Sequence, residues 1–181
     1  MKDVDSKRNA HTQEISSVSF SKDKQKLLTT GQDGMVSLWD ISNRKFTSPP
    51  VFSKEHGQYI ESASFSPDGS YIATAGEIGQ VGTNEEIKLW DSQLSESRGS
   101  IHTNHTKILS ISFTHDGKYI ATAGDNVVRI GKAKPDKIGT PILEIEAGAV
   151  VKKVSFSQWK GLELIAAVGN DKIVRGLAIF P

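Results

Sequence analysis

His11, Thr29 and Asp33 put a base, a hydroxyl and an acid into one short stretch of chain, the residue types from which an acyl-transfer triad is assembled. His102 and His105 form a second candidate, a pair able to ligate a metal. No cysteine and no acidic cluster stands beside them, so a solvated loop is the better reading. Gly79-Gln80-Val81-Gly82-Thr83 is glycine-rich in the manner of a phosphate cradle, yet it lacks the lysine and the following helix that let such a loop hold phosphate. Asn104-His105-Thr106 fits a glycosylation acceptor, which carries no weight without a secretory signal. What these groups do depends on the elements that hold them.

Those elements repeat. Ile15 to Ser21 (ISSVSFS) returns as Ile60 to Ser66 (IESASFS), as Leu109 to Thr114 (LSISFT) and as Val151 to Ser157 (VKKVSFS). Phe20, Phe65, Phe113 and Phe156 mark the same place in each copy, at intervals of 45, 48 and 43 residues, and Gly31, Gly76, Gly124 and Gly169 follow. Intervals of that size suit propeller blades better than the shorter units of helical solenoids. Within a copy the apolar period is two: Val18 and Phe20 alternate with serines, as do Ile111 and Phe113 with Ser110 and Ser112. That is strand. Ser66-Pro67-Asp68-Gly69 and Thr114-His115-Asp116-Gly117 then mark tight hairpin turns, and the small-residue segments Tyr71 to Ala75 and Tyr119 to Ala123 form second strands fit for close sheet approach. Third strands are expected at 35–39, 86–90, 127–130 and 173–177, and weaker fourth strands at 46–52, 99–103 and 142–146.

Bulk properties bound the function. A domain of 181 residues buries roughly 70% of its unfolded surface, enough for a core. The 22 basic and 21 acidic residues leave a net charge of +1, with no excess field for nucleic acid or an anionic membrane. Without cysteine there are no disulfides or thiol nucleophiles, and no apolar stretch approaches the ~20 residues of a membrane span. A soluble, unprocessed protein of the cytoplasm, or of the nucleus, is expected.

Leu38-Trp39-Asp40, Leu89-Trp90-Asp91, the histidine-led entry His11 to Ile15 and the turn Ser66 to Gly69 together resemble the WD-repeat (WD40) β-propeller family, over about residues 11–180. Gly131 and Leu177 depart from it by standing where tryptophan belongs. The resemblance implies an all-β propeller segment of four WD-type blades, each a four-stranded antiparallel sheet, the last lacking its outer strand. The blades fall at about 11–54, 55–103, 104–146 and 147–181, behind an N-terminal tail of residues 1–10. It also implies that His11, Thr29, Asp33 and Trp39 form a buried hydrogen-bond network that fastens the first blade, rather than a triad. In the second blade His56, Thr74 and Trp90 remain, with Asn84 or Glu85 in the aspartate's place. The third keeps Thr122 and offers His105, while the fourth has lost nearly all of the set.

Six extra residues separate Gly76 from Trp90 compared with Gly31 and Trp39, and in the family that connection lies on a face that binds peptides. Glu77, Ile78, Gln80, Val81, Asn84 and Glu85 are therefore candidate partner-binding residues, against the alternative of a tolerated insertion. Trp159, in the first turn of the fourth copy, either anchors a partner or covers the bottom of the blade, with covering favoured. Lys88, Arg129 and Arg175 share one column of the third strands with Ser37, giving either a basic partner-binding stripe or, preferably, a solvated or salt-bridged one.

Family rings most often have seven blades, so four repeats are expected to belong to a larger ring or one completed by association. Residues 1–10 offer little apolar surface beyond Val4 and Ala10 for a closing strand. The function expected is a non-catalytic scaffold or adaptor for a partner protein, or for its own copies, with no cofactor, metal, nucleic acid or membrane. A regulatory or sensor domain of a larger signalling protein is the alternative. A propeller enzyme is the remaining class, and it would need convergent acids, bases or a metal, whereas the carboxylates here fall mostly in turns and third-strand ends.

Overall fold

Serine-interrupted apolar runs followed by tight turns favour pairing with the next run in the chain, and each copy folds into a meander. A computed structural model describes residues 10–43, 49–77, 86–103, 105–133 and 141–180. The first sheet holds β1 (Ile15–Phe20), β2 (Lys26–Gly31), β3 (Met35–Asp40) and β4 (Phe52–Glu55) in that order, all antiparallel. The second holds β5 (Tyr59–Phe65), β6 (Tyr71–Glu77), β7 (Glu86–Asp91) and β8 (Ser97–His102), and the third β9 (Ser110–Phe113), β10 (Tyr119–Gly124), β11 (Val127–Lys132) and β12 (Leu143–Glu146). The fourth has three strands among the described residues, β13 (Val151–Trp159), β14 (Leu162–Gly169) and β15 (Val174–Phe180). These are the four blades of an all-β propeller, three of four strands and one of three. The first blade's outer strand pairs with β3 over Phe52–Glu55; of the expected stretch 46–52, residues 46–48 lie outside the described residues, and Pro49 and Pro50 have no N–H to give to β3.

The innermost strand of each blade faces the preceding blade. A bulge recurs at the same place in three of these strands, between Ile15 and Ser17, Ile60 and Ser62, and Val151 and Lys153. The extra residue shifts the alternation by one, so that Ile60, Ala63 and Phe65 all lie on the side turned to the first blade. They pack there on Leu28, Val36 and Leu38. Ile108, Ile111 and Phe113 pack in the same way on Ala73, Ala75, Ile87 and Leu89, and Val151 and Val154 on Ala121, Ala123, Val128 and Ile130. The small second-strand residues do what their size allows: all four alanines are fully buried between blades.

A hydroxyl ties each of these joints as well. Ser17 Oγ accepts from Ala63 N at 3.3 Å, Ser62 Oγ from Ile111 N at 3.2 Å, and Ser110 Oγ from Val154 N at 3.3 Å. Each serine stands three residues before its blade's phenylalanine, and each N–H two residues before the next one. Without that oxygen an outward-facing N–H of the edge strand would be buried with no acceptor.

The two ends of the row differ. Ile15, Val18 and Phe20 are 54, 62 and 63% exposed, although their counterparts in the other blades are buried or half-buried. At the far end Val168 is exposed and Val174 is 74% exposed. Among the described residues, no buried apolar cluster joins the fourth blade to the first.

Gly124 lies so close to the entry segment of its own blade that an added Cβ would sit 1.7 Å from the Lys107 carbonyl oxygen, whereas one at Gly131 would meet nothing within 4 Å. Gly124→Ala is expected to destabilise the fold by about 3 kcal/mol or more, the upper end of overpacking costs. Gly131→Ala should stay within about 0.5 kcal/mol. Urea denaturation of the two variants checks this, and equal effects would contradict the close approach.

Candidate functional site

The first blade brings His11, Thr29, Asp33 and Trp39 together. The register of β2 and β3 sets Thr29 opposite Ser37, and Trp39 reaches back so that its indole Nε1 donates to Thr29 Oγ1 at 2.9 Å. His11 Nε2 lies 2.8 Å from the same hydroxyl, and His11 Nδ1 lies 3.0 Å from Asp33 Oδ1. A carboxylate only accepts, so Nδ1 carries the proton, Nε2 is the acceptor, and the Thr29 hydroxyl donates to it. The order runs Trp39 to Thr29 to His11 to Asp33. Burial works to raise the Asp33 pKa, but hydrogen bonds from His11, Thr12 N and Met35 N hold it below the usual carboxylate value. This hydroxyl is held by an indole and an imidazole inside a sheet, and the carboxylate also accepts from Thr12 N at 2.8 Å. All four side chains are engaged with one another, which is the geometry of a fastening.

In the second blade Thr74 Oγ1 again takes the Trp90 indole, at 2.8 Å, and lies 2.7 Å from His56 Nδ1. Lys88 donates to the His56 carbonyl. The ring is presented to its threonine by the opposite nitrogen from that in blade one. His56 Nε2 is buried with no hydrogen-bond partner among the described residues. Ile78, Gln80, Val81, Asn84 and Glu85, the proposed loop, lie outside the described residues, and Glu77 ends β6. Burial first and the Lys88 charge second push the His56 pKa down to about 3.

The third blade rebuilds the network around an arginine. His105 is fully buried, not part of a solvated loop, and its Nε2 lies 2.9 Å from Thr122 Oγ1. With Gly131 in the tryptophan column, Arg129 Nη1 reaches His105 Nδ1 at 3.0 Å, while Asp125 Oδ2 is farther, at 3.4 Å. The guanidinium can only donate, so here Nδ1 accepts and Nε2–H donates to Thr122, the reverse of blade one. Arg129 Nε also pairs with Glu144 at 2.9 Å. Burial first, then Arg129, lower the His105 pKa to about 4. Asp125 was not anticipated from the sequence, although Thr106 N donates to it at 2.9 Å just as Thr12 N donates to Asp33. The shared signal is a His-Thr pair answered by an aspartate after the second-strand glycine.

In the fourth blade Ala147 stands where the histidine would, nine residues before Phe156. Arg175 Nη2 donates to its carbonyl at 2.6 Å and to Asp171 Oδ2 at 2.5 Å. Arg129 and Arg175 are thus turned into their own blades and ion-paired with Glu144 and Asp171, while Lys88 of the same column donates to a backbone carbonyl. Trp159 is 58% exposed, with Lys160 Nζ 4.7 Å from its ring centre, so it stands out from the blade instead of covering it. It crowns a first hairpin that is longer than the others, pairing on through Gln158 with Glu163 and Trp159 with Leu162.

A cleft of about 420 Å³ opens between the turns of the first two blades, lined by Lys22, Asp23, Lys26, Phe65 and Asp68 among others. Its carboxylates staple turns. Asp68 is drawn down to about 2 by the Ser66 and Ser70 hydroxyls and the Ser70 N–H, and Asp23 is lowered by Ser21 and by Gln25 N. Among the described residues no three metal-ligating side chains converge, and no helix is long and apolar enough to cross a membrane.

Stacked antiparallel meanders, each closed around a buried threonine or its replacement, define a repeat protein of propeller blades. The family model of the WD domain, G-beta repeat (WD40), matches residues 4–40, 48–91 and 97–130, more than half of the chain. The chain belongs to this family. Among curated proteins none matches it. The fourth blade lies beyond the matched residues, where histidine and tryptophan have both been replaced.

Thr29→Val keeps the shape of the side chain but leaves two buried partners unsatisfied, so a loss of about 2–4 kcal/mol is expected in denaturant unfolding. His56 and His105 should also make stability depend on pH. Their folded pKa values lie below the unfolded value near 6.5, so stability is full above that pH. As pH falls from 6.5 towards 4 the unfolded chain takes protons that the native one refuses. Stability should drop by up to about 2.7 kcal/mol per pH unit for the two together. A pH series of urea midpoints tests this; a His105→Asn variant should show a shallower slope, and an unchanged slope would be inconsistent with a neutral buried ring.

Proposed function

We propose that the chain is a non-catalytic protein-interaction scaffold that works through the apolar faces at the ends of its row of blades. WD40 propeller domains generally mediate protein–protein interaction. The observation that carries the reading here is the exposure of Ile15, Val18 and Phe20 at positions whose counterparts pack against a neighbouring blade. A contiguous apolar strip of that kind marks a docking surface on a soluble domain. Trp159, exposed beside Lys160, offers a second anchor of the aromatic type that dominates interface energetics.

Val18→Asp changes an exposed side chain, so its unfolding midpoint as an isolated monomer should match that of the wild type. Affinity capture under native conditions, followed by mass spectrometry, is expected to recover a partner set with the wild type that is lost with the variant. Retention of the same partners by Val18→Asp would contradict the role of this face.

A further inference from the structure

Resting on that reading, we infer that the occupant of the two uncovered faces is a second copy of this chain. The copies bind head to tail at two equivalent joints, so that four blades from each close one ring. Eight blades lie within the range of about 4 to 8 that propellers adopt.

The two faces are the missing halves of a joint that the chain already makes three times. On the first blade the open strip Ile15, Val18 and Phe20 repeats Ile60, Ala63 and Phe65, which mate with the back of blade one. On the fourth blade Ala166 and Val168 occupy the columns of Ala73 and Ala75 and of Ala121 and Ala123, and Val174 that of Ile87 and Val128. Gly176 takes the place of Leu89 and Ile130. Both ends therefore present the surface chemistry of an interior joint, one as the knob side and one as the receiving side.

Charge points to the same occupant. At the joint between blades two and three, Glu61 Oε1 and Lys107 Nζ form an ion pair at 3.0 Å. Glu61 stands four residues before its blade's phenylalanine and Lys107 six before the next. In a head-to-tail joint between copies those two positions are Lys152 of blade four and Glu14 of blade one, the same pair with its signs exchanged. Both side chains are exposed in the single chain. A foreign partner has no reason to match this register, whereas a second copy supplies it at both joints at once.

One contact of the interior joints is missing. The tying hydroxyl of Ser17, Ser62 and Ser110 is replaced in blade four by Lys153, which has no acceptor for the N–H of Val18. The joint between copies is therefore weaker than those within the chain, and it should be improvable at that residue.

Light scattering across a concentration series reads the assembly. The wild type is expected to pass from monomer to a discrete particle of twice the chain mass. Glu14→Lys should weaken the dimer at least tenfold by setting two lysines against each other, and Glu14→Lys with Lys152→Glu should restore it. Lys153→Ser should tighten it about tenfold, because each ring contains the new hydrogen bond twice. A chain that stays monomeric at all concentrations, that grows into open polymers, or whose dimer ignores all three changes overturns the inference. A monomer that still loses its captured partners on Val18→Asp would leave the scaffold function standing with a foreign occupant, and so separates the two.

Discussion

A single blade is a twisted meander with one face too apolar for water and too small to bury itself, and everything else in this chain follows from the need to cover that face. The repeated bulge exists to gather three apolar side chains of the innermost strand onto one side. The alanines of the second strands exist to let the next sheet come close, and the serine hydroxyls satisfy backbone N–H groups on the outer edge of the next innermost strand. Each device makes sense only when a neighbour is present. Cooperation between adjacent repeats, not the strength of any one sheet, holds the row together.

The polar fastening inside each blade is less uniform than the packing between blades. Blade one completes its network with an aspartate, and blade three trades the indole for a guanidinium, which reverses the direction of the imidazole's hydrogen bonds. Blade four dispenses with the imidazole and lets an arginine span from an aspartate to a backbone carbonyl. What is kept in the first, third and fourth blades is a set of paired donors and acceptors at the same depth in the sheet. Chemistry of several kinds satisfies that condition, and among the described residues the buried His56 Nε2 of the second blade is the exception.

Much of this was legible in the chain because the repeat supplied four readings of each position. The phenylalanine and glycine marks fixed the strands, and the resemblance carried by Trp39 and Trp90 led to the network of the first two blades. Asp125 is not legible by spacing because the turn of its blade is one residue shorter, so that counting from Gly31 to Asp33 misplaces it. The roles of Arg129 and Arg175 were hidden for a different reason. Alternation assigns a residue to a face but does not say whether a long cation on that face lies along the sheet or projects into water, and here buried acceptors draw both guanidinium groups inward. Trp159 projects where a turn is expected because the fourth hairpin runs on past the point where its siblings turn.

The tying serines reach across to strands about 45 residues away, and among the described residues no buried cluster or tying hydrogen bond of the interior joints spans more than two adjacent blades. Such a row has no keystone. Amide protons in the second and third blades, covered on both sides, should be the last to exchange with solvent, while those of β15, whose outer edge pairs with no strand among the described residues, should exchange among the first. Pulled or digested from an end, the chain would therefore come apart in steps of one blade.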